Sequence, residues 1–154
     1  MTKEDICNLS EDEINLLIQE HIFDMVVIEL RLDWYPVPVK CFYYKDSPYV
    51  QYSWDKKACN AMIFRNGIDD SDGIAKSIPF YSNEIEAAWM IIEKLRDQFC
   101  FNVRTIHDKT ENKFVCEIWG LHSNQYRGQG IKVYSETASE AICKAALILK
   151  LVNE

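Results

Sequence analysis

Residues 82–121 read SNEIEAAWMIIEKLRDQFCFNVRTIHDKTENKFVCEIWGL, and the periodicity changes midway. Up to Leu95, the apolar residues Ile85, Ala88, Trp89, Ile92 and Leu95 recur at helical spacing, with Glu86, Glu93, Lys94 and Asp97 off the stripe. That spacing predicts an amphipathic helix over 83–97 with Ser82 as its cap. From Phe99 the period becomes two. Phe99, Phe101 and Val103 share one side, opposite Asn102 and Arg104. Phe114, Cys116 and Ile118 share one side of the next run, opposite Val115, Glu117 and Trp119. The runs 99–107 and 113–121 flank the turn Asp108-Lys109-Thr110-Glu111-Asn112 and predict an antiparallel hairpin. A helix feeding a hairpin predicts an α+β protein, with packed amphipathic helices on a mostly antiparallel sheet.

Both flanks extend this pattern. After the polar loop Ser123–Gly130, a short strand is expected over Ile131–Tyr134. A last helix starts at Thr137, where Thr137 and Glu140 form a capping box. Its buried side is Ala141, Ile142, Ala145, Ala146 and Leu149, small enough to lie close to a sheet. On the N-terminal side, Ser10 with Glu13 makes another capping box, and Leu9 with Ile14 a hydrophobic staple, so a helix is expected over 10–24. Residues 25–33 suit a strand or the tail of that helix, and Pro36 and Pro38 end either one. Residues 40–54 are aromatic and β-branched around Asp46-Ser47-Pro48 and predict a second hairpin. Residues 66–78 carry the turn chemistry of a loop, and their acidic spacing does not match an EF-hand. No repeat or linker divides the chain, so a single domain is expected over 1–154.

Hydrophobic residues make up 48% of the chain and charged residues 27%, as in an ordinary globular protein. A net charge of −7 argues against binding a DNA or RNA polymer, which needs a broad basic face. A small nucleotide remains compatible, because one or two arginines can hold a phosphate. The first 30 residues are strongly acidic, whereas 94–132 carries Lys94, Arg96, Arg104, Lys109, Lys113, Arg127 and Lys132, so an anion site is expected there. The six cysteines contain no C-x-x-C pair. Together with an acidic N-terminus lacking a signal-peptide core, this predicts reduced thiols in the cytoplasm. No apolar run is long enough for a membrane span.

The side chains that could carry chemistry are few. His21, His107 and His122 are isolated, so no metal is expected. Cys100, Cys116 and Cys143 lack a setting that would activate a thiolate, and there is no G-x-S-x-G elbow. Arg127-Gly128-Gln129-Gly130 is not a Walker motif. Neither an enzyme activity nor a cofactor is therefore expected. The remaining candidate is a nucleotide pocket on the 99–134 hairpin. In it Arg104 and Arg127 would clamp phosphate, and Trp119 and Tyr126 would stack a base. Asn102, Asn124 and Gln125 would read polar edges, and Phe80 with Tyr81 would add an aromatic wall. The plainer alternatives are core packing for Trp119 and a cross-strand pair with Glu117 for Arg104.

Two segments taken together carry a resemblance. PFYSNEIEAAWMIIEKL (79–95) and ETASEAICKAAL (136–147) resemble the helices of the phage ABA sandwich domain proteins, in the same order around a hairpin. Leu16–Met25 resembles the family's first helix. Residues 26–78 carry no family motif, and Ser139 stands where the family often has proline. The motifs are packing motifs, so Trp89 and Cys143 are expected to be packed rather than reactive. The resemblance implies a helix–sheet–helix, α/β/α-type sandwich. It also implies kinship with phage anti-Thoeris signal sponges, homo-oligomers that hold cyclic ADP-ribose-type or cyclic oligonucleotide immune signals without cleaving them. The expected role is therefore a phage anti-defence protein whose partner is a cyclic nucleotide. The alternatives are a protein–protein interaction module using the 40–54 hairpin, and a phosphodiesterase.

Overall fold

The computed structural model of the chain describes residues 1–30, 39–44, 52–53, 76–77, 79–107, 113–121 and 130–152. The chain gathers into two compact units, one made of residues 1–22 and 79–154, the other of residues 23–78.

In the 23–78 unit, β1 (Met25–Leu30) pairs antiparallel with β2 (Val39–Tyr44), setting Met25 opposite Tyr44 and Leu30 opposite Val39. β2 pairs antiparallel with β3 (Tyr52–Ser53), which pairs in parallel with β4 (Lys76–Ser77). The ambiguous segment 25–33 is thus a strand as far as Leu30. Asp24, at φ 54°, takes the left-handed conformation that a short polar side chain tolerates, which separates this strand from the helical run before it. The antiparallel β2–β3 pairing matches the hairpin expected over 40–54. Lys76–Ser77 form a strand where a loop was expected. Pro36, Pro38, the Asp46-Ser47-Pro48 turn and the acidic part of the 66–78 loop lie outside the described residues.

The other unit is an α+β sandwich. It holds α1 (Lys3–Cys7), α2 (Glu11–Leu17), a π-helical turn (Ile18–Ile22), α3 (Ile85–Leu95), β5 (Phe99–Thr105), β6 (Phe114–Gly120), β7 (Ile131–Ser135) and α4 (Ala138–Leu151). The three strands form an antiparallel sheet in the order β5-β6-β7. α4 lies on this sheet, and α1, α2, the π-helical turn and α3 pack against α4. Every residue from Ser139 to Ile148 is buried except Glu140, which is half-buried. A helix apolar all round belongs in a core, and Ala141, Ala145 and Ala146 let neighbours approach it closely. The sequence stripe accounted for only part of this burial, because one stripe presumes one partner and α4 has partners on several sides.

Several details differ from expectation. The 10–24 helix divides into α2 and the π-helical turn, which together bury Ile14, Asn15, Ile18, Gln19 and Ile22. The Ser10–Glu13 capping box is present, and an unforeseen second box, Thr2 with Asp5, starts α1. α3 begins at Ile85 with Glu84 as its cap residue and no side-chain cap. Ser82 instead serves the core, receiving on its side the buried Asn15. The Asn15 carboxamide oxygen accepts from the Ser82 backbone N–H at 3.0 Å, and the Ser139 hydroxyl donates to the Ser82 carbonyl at 2.9 Å. Beside it the buried Tyr81 hydroxyl donates to Gln19 at 2.9 Å. These bonds tie the entry of α3 to α2 and α4, which explains the chemistry of the Tyr81-Ser82 pair. The buried side of α3 is Ala87, Ala88, Ile91 and Leu95, while Trp89 is 52% exposed. The packing expected for Trp89 is therefore corrected; that for Cys143 holds. At α4, Thr137 accepts from the Glu140 N–H at 3.2 Å, but the Glu140 carboxylate turns to the Ser135 hydroxyl and Lys144 rather than closing the box.

Burial pushes the Cys116 thiol up to about 12 and raises Cys143 as well. Both are therefore expected to resist thiol reagents until the protein unfolds, while exposed Cys7 reacts at once. At the start of β7, a side chain on Gly130 would place its Cβ 2.0 Å from the Ile118 carbonyl oxygen. Gly130→Ala is expected to cost about 1–3 kcal/mol through this overlap, read as a lowered urea midpoint.

Candidate functional site

The register of the three-stranded sheet decides which side chains meet. Asn102, Glu117 and Lys132 stand directly opposite one another across β5, β6 and β7. Because strand residues alternate faces, they share a face with Arg104, Val115, Trp119 and Tyr134. The other face carries Cys116, Ile118 and Val133, all buried on the side of the sheet that takes α4.

At the centre of the first face lies the Glu117 carboxylate, its side chain only 10% exposed. A buried carboxylate needs donors, and three converge on it. Lys132 Nζ lies 2.8 Å from Oε1, Arg104 Nη2 lies 3.6 Å from the same oxygen, and Asn102 Nδ2 donates to Oε2 at 3.2 Å. The Lys132 hydrogen bond, joined by Asn102 and the two positive charges, outweighs desolvation and holds the Glu117 carboxyl below the usual range. The same bond raises Lys132. Glu117 is therefore a fixed anion rather than a proton acceptor tuned to neutral pH.

The two cations make different contacts. Lys132 is tightly held, whereas Arg104 is 52% exposed and stands at the longer distance. A guanidinium has five N–H donors, so Arg104 keeps most of its donors available to an anion. With two cations against one carboxylate, the cluster carries one net positive charge on a chain of net charge −7.

Of the residues expected to line a nucleotide pocket, Asn102, Arg104 and Trp119 come together on this face. Trp119 is half-buried. The pairing of Arg104 with Glu117, read from the sequence as the plainer alternative, is present. Phe80 lies in the turn before α3, where its carbonyl accepts from Asn83 and Glu84 N–H groups at 3.1 and 2.8 Å. That turn is bonded to α2 and α4, on the helical side of the sheet. Asn124, Gln125, Tyr126 and Arg127 lie outside the described residues. Glu117 and Lys132 were not singled out as site residues. The alternation of β6 does place Glu117 beside Trp119, but the partner of Glu117 on β7 depends on a register that the intervening loop conceals.

Glu117→Gln tests the cluster. Its folded pKa is depressed, so its stabilisation is full above the ordinary value of 4.5 and is lost as pH falls through the folded value. The variant is expected to lose about 1.5–3 kcal/mol at pH 7 and to show a flatter loss of stability below pH 4.5, measured by urea melts across pH.

Comparison with known proteins gives three findings. The family model described as the phage ABA sandwich domain matches residues 20–147. A phage protein from Bacillus cereus ATCC 14579, solved at 2.0 Å, aligns at 23% identity and a TM-score of 0.49, covering 90% of each chain. No curated protein matches.

Proposed function

The chain belongs to the phage ABA sandwich domain family, and from that premise we propose that it sequesters a cyclic nucleotide immune signal of the host bacterium without cleaving it. The ligand class is a cyclic ADP-ribose isomer or, more broadly, a cyclic oligonucleotide. The protein would act in the host cytoplasm, as a homo-oligomer. The observation that carries this reading is the Arg104–Glu117–Lys132 cluster beside Asn102 and Trp119. Arg104 supplies a charge-assisted clamp for a phosphate, Trp119 a ring for a base, and Asn102 polar atoms for an edge or a ribose hydroxyl. Sequestration needs a preorganised surface, and the tight Lys132–Glu117 bond fixes this one before a ligand arrives. Among the described residues, no helix is long and apolar enough to cross a membrane.

A second reading, a protein interaction module, draws on a different surface. Ile85, Trp89 and Met90 of α3 are each more than 40% exposed, an apolar surface of the kind that partners cover.

Calorimetric titration against cyclic ADP-ribose isomers and cyclic oligonucleotides separates the two. Sequestration predicts saturable binding, with ligand of unchanged mass recovered after heat release. Arg104→Ala is expected to weaken that binding about 10- to 100-fold, the value of a charge-assisted hydrogen bond, and Arg127→Ala tests the second proposed clamp. Recovered ligand of altered mass would make the protein a phosphodiesterase. No heat with any ligand would leave the interaction module in front.

A further inference from the structure

A cleft of about 400 Å3 opens beside the end of β7, and neither Asn102 nor Arg104 lines it. Cys7 and Glu11 line it from the N-terminal helices, Tyr134, Ser135 and Glu136 from the end of β7 and the turn after it, and Glu140 and Lys144 from α4. Lys144 is nearly buried and already committed, at 2.7 Å from Glu140 and 2.7 Å from the Cys7 carbonyl oxygen. Three carboxylates against one lysine leave the lining two charges negative.

One wall is a strand edge. Bonds from Ile106 N–H to the Lys113 carbonyl and from Leu121 N–H to the Gln98 carbonyl, just outside β6 at either end, place the odd-numbered positions of β6 in the bonded pairs with β5, while the Lys113 N–H itself turns to the Ser135 carbonyl of β7 at 3.1 Å. The even-numbered residues Phe114, Cys116 and Ile118 therefore bond to β7, through Ser135, Val133 and Ile131. Lys132 and Tyr134 must then point their peptide groups outward. The Lys3 ammonium, donating to the Lys132 carbonyl at 3.2 Å, agrees with this. The outward N–H and C=O of Tyr134 have no partner among the described residues, and they border the cleft.

From the open Tyr134 peptide group on this edge and the acidic cleft together, we infer that β7 accepts an extended, basic peptide segment as an added strand, which takes the place of the exposed Lys3 ammonium at the Lys132 carbonyl. The peptide main chain would pair with Tyr134, while a lysine or arginine side chain entered the cleft beside Glu136; Glu11, across it, already accepts from Asn83 Nδ2 at 2.9 Å. The Tyr134 ring, 50% exposed, lines the same cleft, and an aromatic ring there favours a cation. Charge selects this occupant over a second copy of the chain, whose net charge is −7.

The test uses the full chain and a fluorescein-labelled hexapeptide of alternating lysine and valine, followed by anisotropy. A second peptide carries N-methyl groups on its pairing amides, keeping charge while removing main-chain donors. Glu136 is exposed, with no hydrogen bond or ion pair among the described residues, so Glu136→Lys is expected to leave the thermal melt unchanged. Saturable binding is expected, weakened at least tenfold by N-methylation and at least fivefold by Glu136→Lys, with the Tyr134 amide gaining protection from hydrogen exchange. No saturable binding of the parent peptide, or equal binding of the methylated one, would overturn strand addition.

Discussion

The sandwich unit depends on the burial of α4. From Ser139 to Ile148 this helix has no exposed residue, because the sheet covers one side and the other helices cover the rest. A helix so placed must be nearly all apolar and narrow wherever a neighbour crosses it. Ala141, Ala145 and Ala146 meet the second demand, and Ile142, Leu147 and Ile148 the first. Lys144 is the buried charge of this stretch, and its ammonium is met by Glu140 and the Cys7 carbonyl oxygen. That contact also fastens α1 to the core. The buried polar groups at the head of α3 follow the same logic. Asn15, Ser82 and Ser139 bond to one another rather than to water, so the entries of α3 and α4 are set relative to α2.

A sheet covered by α4 on one face can carry polar chemistry on the other. Alternation sends Cys116, Ile118 and Val133 toward α4 and leaves Glu117, flanked by Asn102 and Lys132, on the opposite face. A carboxylate there can be buried only if donors on both neighbouring strands reach it, so the register that builds the core also builds the cluster. Arg104 is the looser member and so the one available to an incoming anion. The β7 edge is a separate feature of the same sheet, defined by backbone direction rather than side-chain chemistry.

Much of the fold was legible because local signals agreed with tertiary packing. The Ser10–Glu13 box, the change of period at Phe99 and the alanines of α4 each state a requirement that the structure meets. What was not legible depended on partners distant in sequence. Ser82 has the chemistry of a cap, but a buried Asn15, 67 residues away, claims it. Trp89 lies on the apolar stripe of α3, yet the helix turns Ala87, Ala88 and Ile91 inward. Asn102, Arg104 and Trp119 could be grouped from alternation alone. Lys132 could not, because its place opposite Glu117 is fixed by the β6–β7 register.

Hydrogen exchange followed by mass spectrometry tests the central role of α4 most directly. If α4 is the element on which the sandwich unit is assembled, amides of residues 139–148 exchange only through global opening, as slowly as those of β6 and more slowly than those of α1 and α3. Exchange of α4 ahead of β6 would show that the sheet holds together without the helix, and would contradict the account.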